Sequence, residues 1–208
     1  PNRSKPGFYT SFSPSWYLYS CFMVKKSEVE CLIRLFHSLV ERDDVRLHNN
    51  VLDRNTFRAT LHNLFGMTDD MLMKRVFFAF DKNDNCMNVK EWIKGLSVFL
   101  RGTFEEKLKF CFKVYYLNSD GYISREEIFD MLKNSLHQQS SEKETDGGIE
   151  ELVEKMLKKM DYDNDGKISF AVFEKAVKEE TLLLEVFGQC LPEAKVQCQQ
   201  PKLVEKTF

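Results

Sequence analysis

No stretch of this 208-residue chain is apolar for long enough to cross a bilayer, so no spanning helix is expected. It also lacks an excess of charge of either sign. The 30 Lys and Arg against 32 Asp and Glu leave a formal net charge of −2, which argues against nucleic-acid wrapping and against an electrostatic membrane anchor. The six cysteines, Cys21, Cys31, Cys86, Cys111, Cys190 and Cys198, contain no CxxC pair and predict reduced thiols of a cytosolic protein rather than a disulfide framework. His37, His48, His62 and His137 fall in no nucleophile or metal-ligand constellation, so no enzyme is expected. Residues 1–24 lack a helical period and read as an irregular arm. Within the arm, WYLYSCFMV (16–24) is too short and too rich in Tyr and Trp for a signal peptide and has no clean small-residue cleavage site. An N-terminal Gly for myristoylation is absent from the text of the chain.

What the chain does have is phenylalanine, 18 of them, in segments of helical period. Val29, Leu32, Ile33, Phe36, Leu39 and Val40 recur at three and four; Phe57, Leu61 and Leu64 share a face over 56–64; Thr68 with Asp69 and Asp70 marks a helix start before Met71–Phe80. From there the pattern repeats. Incoming helices are predicted to end at Phe80, Tyr115 and Met160, each followed by a polar loop and a further amphipathic segment. A polar insert is expected over His137–Gly148, a boundary at Gly102 and Thr103, and a last helix running through Phe187 to a stop at Gly188 and Pro192.

The loops carry the chemistry. In Asp161-Tyr162-Asp163-Asn164-Asp165-Gly166-Lys167-Ile168-Ser169, oxygen side chains stand at loop positions 1, 3, 5 and 9, glycine at 6 and an aliphatic residue at 8. Alternate residues turn oxygens inward, Gly166 permits the sharp bend and Ile168 pins the loop to a partner, the order a calcium ion requires of a helix–loop–helix EF-hand. Position 12, which normally supplies a bidentate Glu, is Val172, and Glu174 two residues on points elsewhere. The preceding loop, Tyr116 to Glu127, is regular from position 3 onward, but Tyr116 replaces the leading Asp. The loop before that, Asp81 to Glu91, has both ends right yet is one residue short and lacks the position-6 Gly; counted from its back, Met87 is position 8 and Asn88 position 9. The loop after Val40, with clustered Glu41, Asp43 and Asp44, reads as a vestigial first hand whose Leu52 and Phe57 occupy positions 8 and 13. Calcium affinity follows ligand charge count and site rigidity, spanning roughly 10⁻⁷–10⁻⁵ M for sensors; each loop here lacks one determinant, so submicromolar binding by any single site is not expected. The expected fold is all-α: two lobes of paired EF-hands over 25–101 and 102–188, short β contacts between paired loops, and a polar tail over 189–208.

With those residues in view, the chain resembles the calaxin family of EF-hand proteins of the ciliary and flagellar axoneme. The resemblance is carried by LDRNTFRATLHNLFGMTDDM (52–71), NVKEWIKGLSVFLRGTFEEK (88–107), MLKNSL (131–136), KKMDYDNDGKISF (158–170) and EETLLLEVFGQCLPEA (179–194). It implies a regulator that binds the outer-arm dynein heavy chain or docking-complex subunits on doublet microtubules and couples calcium to motor activity. Neither nucleic acid nor membrane is implied as a partner. The implied ligands are Asp81, Asn83, Asn85 and Glu91 in the second hand. In the third they are Asn118, Asp120, the Tyr122 backbone, Ser124 and Glu127, and in the fourth Asp161, Asp163, Asp165, the Lys167 backbone and Ser169. Ca²⁺ is the implied ion, with Mg²⁺ its competitor. Three functional readings stay open: a sensor whose Met131, Met156, Met160, Phe129 and Phe173 line a groove for a partner helix, a calcium-independent structural adaptor of the axoneme, and a calcineurin-B-like regulatory subunit.

Overall fold

The computed structural model describes residues 25–42, 50–81, 86–116, 120–139, 146–162 and 165–192. The expected arm over 1–24, most of the first loop and the tail beyond Pro192 lie outside the described residues. Among the described residues eight α-helices are interspersed with four short strands: α1 (Lys26–Arg42), β1 (Leu52–Asp53), α2 (Arg54–Phe65), α3 (Asp70–Phe80), β2 (Cys86–Met87) and α4 (Val89–Arg101) form the first pair of hands. The second pair comprises α5 (Phe104–Tyr115), β3 (Tyr122–Ser124), α6 (Arg125–Gln139), α7 (Asp146–Met160), β4 (Lys167–Ser169) and α8 (Phe170–Glu179), followed by a 3₁₀ turn over Thr181–Glu185.

Short polar side chains decide where the helices begin. Asp53 accepts from the amides of Asn55 and Thr56, and Asp69, rather than Thr68, accepts from Met71 and Leu72. Reciprocal capping boxes start two helices, Asn88 with Glu91 for α4 and Thr103 with Glu106 for α5. The incoming helices end at Phe80, Tyr115 and Met160, as the periodicity indicates.

The strands pair the hands. Antiparallel β1 and β2 set Leu52 opposite Met87, and β3 and β4 set Ile123 opposite Ile168, so each position-8 residue meets its counterpart. All four are fully buried. The first hand, vestigial as a metal loop, thus serves as the structural partner of the second. Phenylalanines fill the space between helices edge to edge: Phe57 meets Phe77 and Phe80 at 5.3 Å between centroids, and Phe110 of α5 meets Phe80 and Phe99 at 5.7 and 5.9 Å. Because Phe110 belongs to the third hand, the two pairs share one core. Gly95 of α4 lies directly against the Phe80 ring, where a Cβ would come within 2.2 Å of Cδ2.

The two pairs also cap each other. Arg75 of α3 donates from Nη1 to the carbonyl of Tyr115, the last residue of α5, at 3.0 Å; Lys113 of α5 donates from Nζ to the carbonyl of Ala79, near the end of α3, at 2.6 Å. Each incoming helix presents a cation to the negative end of the other.

Two expectations are corrected. The polar insert is narrower than His137–Gly148, since α6 continues to Gln139 and α7 begins at Asp146. Asp146 stands in the first turn of α7, where a negative charge is favoured, and Lys133 of α6 pairs with it at 2.8 Å. The last helix does not run through Phe187. It ends at Glu179, where Glu180 leaves the helical region (φ −138°, ψ 98°) and pairs with Lys159 on the surface, and a separate 3₁₀ turn follows. The break turns Leu183 and Phe187 inward, and the buried Tyr115 hydroxyl is shared between the carbonyls of Leu184 (3.2 Å) and Gly188 (2.8 Å). Packing continues past Gly188 through Cys190, Leu191 and Pro192, all buried.

Candidate metal centre

The same local geometry recurs at the back of every loop. In the third hand, Ser124 at position 9 caps α6: its hydroxyl accepts from the Glu127 amide at 3.2 Å, while Glu127 Oε2 accepts from the Ser124 amide at 2.9 Å. In the second, Asn88 and Glu91 repeat the arrangement at 3.1 and 2.9 Å. Ser169 accepts from the Val172 amide at 3.2 Å in the fourth hand, but Val172 has no oxygen to return. In the first, Thr56 donates its hydroxyl to Asp53 Oδ2 at 2.6 Å. Position 12 therefore holds Thr, Glu, Glu and Val in chain order.

The third hand is built as follows. Gly121 turns the loop at φ 91°, and Asp120 Oδ1 accepts from the Tyr122 amide at 3.0 Å, orienting that carboxylate within the loop. Glu127 is buried to 6% exposure. Tyr116, in the place of the leading Asp, turns away from a ligand's role and stacks on Phe112 at 5.6 Å with 24° between planes. The Tyr122 side chain is exposed beside Lys167, leaving its backbone carbonyl as the candidate ligand. Asn118 lies outside the described residues. Behind the loop stands Arg75, 5% exposed, on the opposite pair of hands. Burial holds its guanidinium below the usual arginine range, and the nearby carboxylates of Glu127, Asp130 and Asp69 pull the other way.

In the fourth hand the first and fifth positions, Asp161 and Asp165, are described. Asp161, 7% exposed, accepts from the amides of Asp165 (3.3 Å) and Gly166 (2.9 Å), and Asp165 accepts from the Lys167 amide at 2.8 Å. Gly166 has φ 74°. Its back is closed by Val172, whose side chain packs against the core. Glu174 is paired with Lys178 at 2.9 Å on the surface and cannot stand in. Asp163 lies outside the described residues, as do Asn83 and Asn85 of the second hand. There, Asp81 closes α3 at 4% exposure and Glu91 caps α4.

Chemically, these donor sets differ. The third combines a buried Glu at position 12, a hydroxyl, a backbone carbonyl and an aspartate, all hard oxygen donors that fit a calcium ion. The fourth has Asp161 and Asp165 at its front and offers hydrocarbon, Val172, where the last two oxygens belong. Among the described residues no three His, Cys, Asp or Glu converge as a metal cluster. Sequence reading missed Arg75 altogether. A lone arginine on an apolar helix carries no local signal, and only the tertiary packing sets it behind the third loop. The proposed groove residues divide: Met131, Met160 and Phe173 are buried in the core, while Met156 and Phe129 are half-buried at its edge. Among the described residues no helix is long and apolar enough to cross a membrane.

Residues 105–178 match the family description "EF-hand domain pair". The chain is 64% identical over 171 residues to calaxin of Xenopus laevis, covering 82% of each chain. It is 60% identical to the calaxins of Bos taurus, over 183 residues, and Homo sapiens, over 182, covering 86% of this chain and 85% of theirs in both cases. Paired loops, position-8 contacts and capped outgoing helices are the architecture of a calcium-sensor EF-hand protein, and these identities place the chain in the calaxin family.

Proposed function

We propose that this chain is a non-catalytic, calcium-responsive regulator of outer-arm dynein in cilia and flagella. It binds the dynein heavy chain or docking-complex subunits on the doublet microtubule and acts in the axoneme, drawn from the cytoplasmic pool. The observation that carries the calcium part is the third hand: Gly121 turns it, Asp120 accepts from its Tyr122 amide and Glu127 is buried at its end. Glu127, Ser124, Asp120, Asn118 and the Tyr122 carbonyl would hold the ion, which supplies a dication that draws the loop ends together. Asp81, Asn83, Asn85 and Glu91 form the second candidate site. The fourth set, Asp161, Asp163, Asp165, Lys167 and Ser169, is the weakest for want of an oxygen at Val172. The kinship with calaxins supports the axonemal part.

Calorimetric titration with calcium in constant millimolar magnesium tests the reading, with Glu127→Gln expected to remove one site. Cosedimentation with dynein-bearing doublet microtubules, with and without calcium, is expected to show calcium-dependent binding or a calcium-dependent change in motor activity. No heat up to millimolar calcium would sink the sensor reading and leave the second one, a structural adaptor used for its shape. One observation favours that alternative: Met131, Met160 and Phe173 fill the core rather than line a groove.

A further inference from the structure

Resting on the third hand as a calcium site, we propose that Arg75 is a counter-cation to that site, lent across the junction by the other pair of hands, and that it lowers the site's calcium affinity. Arg75 is on α3, part of the second hand, yet its guanidinium reaches the end of α5, where it meets the Tyr115 carbonyl immediately before the loop begins at Tyr116. That carbonyl belongs to the negative end of the α5 dipole, which would otherwise favour a cation in the loop. The arginine occupies this field first.

The guanidinium is not a fully satisfied structural clamp. Arg75 is 5% exposed, and among the described residues its Nε has no hydrogen-bond partner. A charge buried in this way is tolerated where opposite charge lies near. The strongest such attraction comes from Glu127, the position-12 ligand, and Asp130 of α6 and Asp69 at the start of α3 add to it. Calcium bound through Glu127 would bring two positive charges to the carboxylate that already offsets Arg75. One carboxylate would then serve two cations, and their repulsion weakens binding. With Tyr116 in place of the leading Asp, the loop has few anions to spare.

The test is calorimetric calcium titration of the full chain at constant magnesium, comparing the wild type with Arg75→Gln, Arg75→Met, Arg75→Lys and Glu127→Gln. Gln keeps a donor for the Tyr115 carbonyl and Met keeps the stem's volume; both remove the charge. Each is expected to tighten the Glu127-dependent site roughly three- to tenfold, as for loss of a like charge near a partly buried ion. Lys keeps the charge and is expected to leave affinity near that of the wild type. Unchanged or weaker binding in a folded neutral variant overturns the proposal, as does equal tightening by Lys, which would indicate packing rather than charge. Failure of both neutral variants to fold, judged by circular dichroism, also overturns it, because the guanidinium would then be a structural clamp. If Glu127→Gln removes no site, the calcium reading falls and the proposal with it; if it removes one and the neutral variants do not tighten, the proposal alone falls.

Discussion

Val172→Glu should convert the fourth hand from a poor site into a working one, and the gain follows from its geometry. In that loop Asp161 and Asp165 already accept from loop amides and Gly166 already makes the turn. Ser169 already caps α8 and lacks only the returning carboxylate that Glu91 and Glu127 supply in their own hands. In the absence of calcium the substitution adds a capping interaction of about 0.5–1 kcal/mol and gives up packing of a half-buried Val of similar size, so the melting temperature should barely move. With calcium the two proteins diverge. If the restored ligand gives a dissociation constant of about 10 μM, 1 mM calcium stabilises the variant by roughly 2.7 kcal/mol, whereas a site near 1 mM contributes about 0.4 kcal/mol. For a chain of this length each kcal/mol is worth about 2–4 °C, so the calcium-induced rise should exceed that of the wild type by roughly 5–9 °C. The other hands contribute equally to both proteins and cancel. Differential scanning calorimetry with chelator and with calcium gives the comparison, and titration calorimetry should count one further site. Equal calcium-induced rises would refute the claim that Val172 is what disables this hand.

Two stability predictions use other features of the packing. Gly95→Ala places a Cβ within 2.2 Å of Phe80, a ring already wedged against Phe57 and Phe110, so overpacking of about 3 kcal/mol should outweigh a helix-propensity gain of about 1 kcal/mol. A melting temperature lower by roughly 4–8 °C is expected, and an unchanged one would show the ring free to move. Glu185 is held above the usual carboxylate range by burial, against the opposing pull of the Leu191 and Cys190 amides. Its folded state therefore binds a proton more tightly than its unfolded state, and wild-type stability from this group is present below the unfolded pKa and lost as pH rises through the folded one. Glu185→Gln, whose carbonyl still accepts from Leu191, should be more stable than the wild type at pH 7 and equal to it near pH 4. A pH-independent difference in denaturation midpoints would contradict the assignment.

The hands were readable in the sequence because their signals are local. Alternating oxygens, a glycine at the bend and an aliphatic residue two places later all fall within one loop, and the pairing of Leu52 with Met87 and of Ile123 with Ile168 follows from counting back from the last residue. The ends of α3, α5 and α7 were equally plain, since an apolar period stops where oxygen donors start. What escaped depends on distant residues meeting. Arg75 and Tyr115 are 40 positions apart, and no periodicity makes an arginine on α3 belong to the third hand. The surface pair of Glu180 with Lys159 and the contact of the segment after it with Tyr115 also join residues distant in sequence.

Position 12 shows why loop grammar alone could not rank the hands. A glutamate there has two uses, capping the outgoing helix through the position-9 amide and closing a calcium shell, and the two draw on the same carboxylate. Glu91 and Glu127 are both engaged in the cap. Thr56 keeps a local hydrogen bond with Asp53 while providing only a hydroxyl, and Val172 keeps neither the returned bond nor the ligand. Loss of the glutamate therefore removes metal binding at the cost of about one capping interaction, small beside the burial of Leu52, Ile168 and the phenylalanines around them. Paired hands hold their shape through the position-8 contacts, so one member can shed its ion and still be required as the other's partner. The fourth hand, with Asp161 and Asp165 hydrogen-bonded into its loop and Val172 behind them, partners the third through Ile168 as the first partners the second through Leu52.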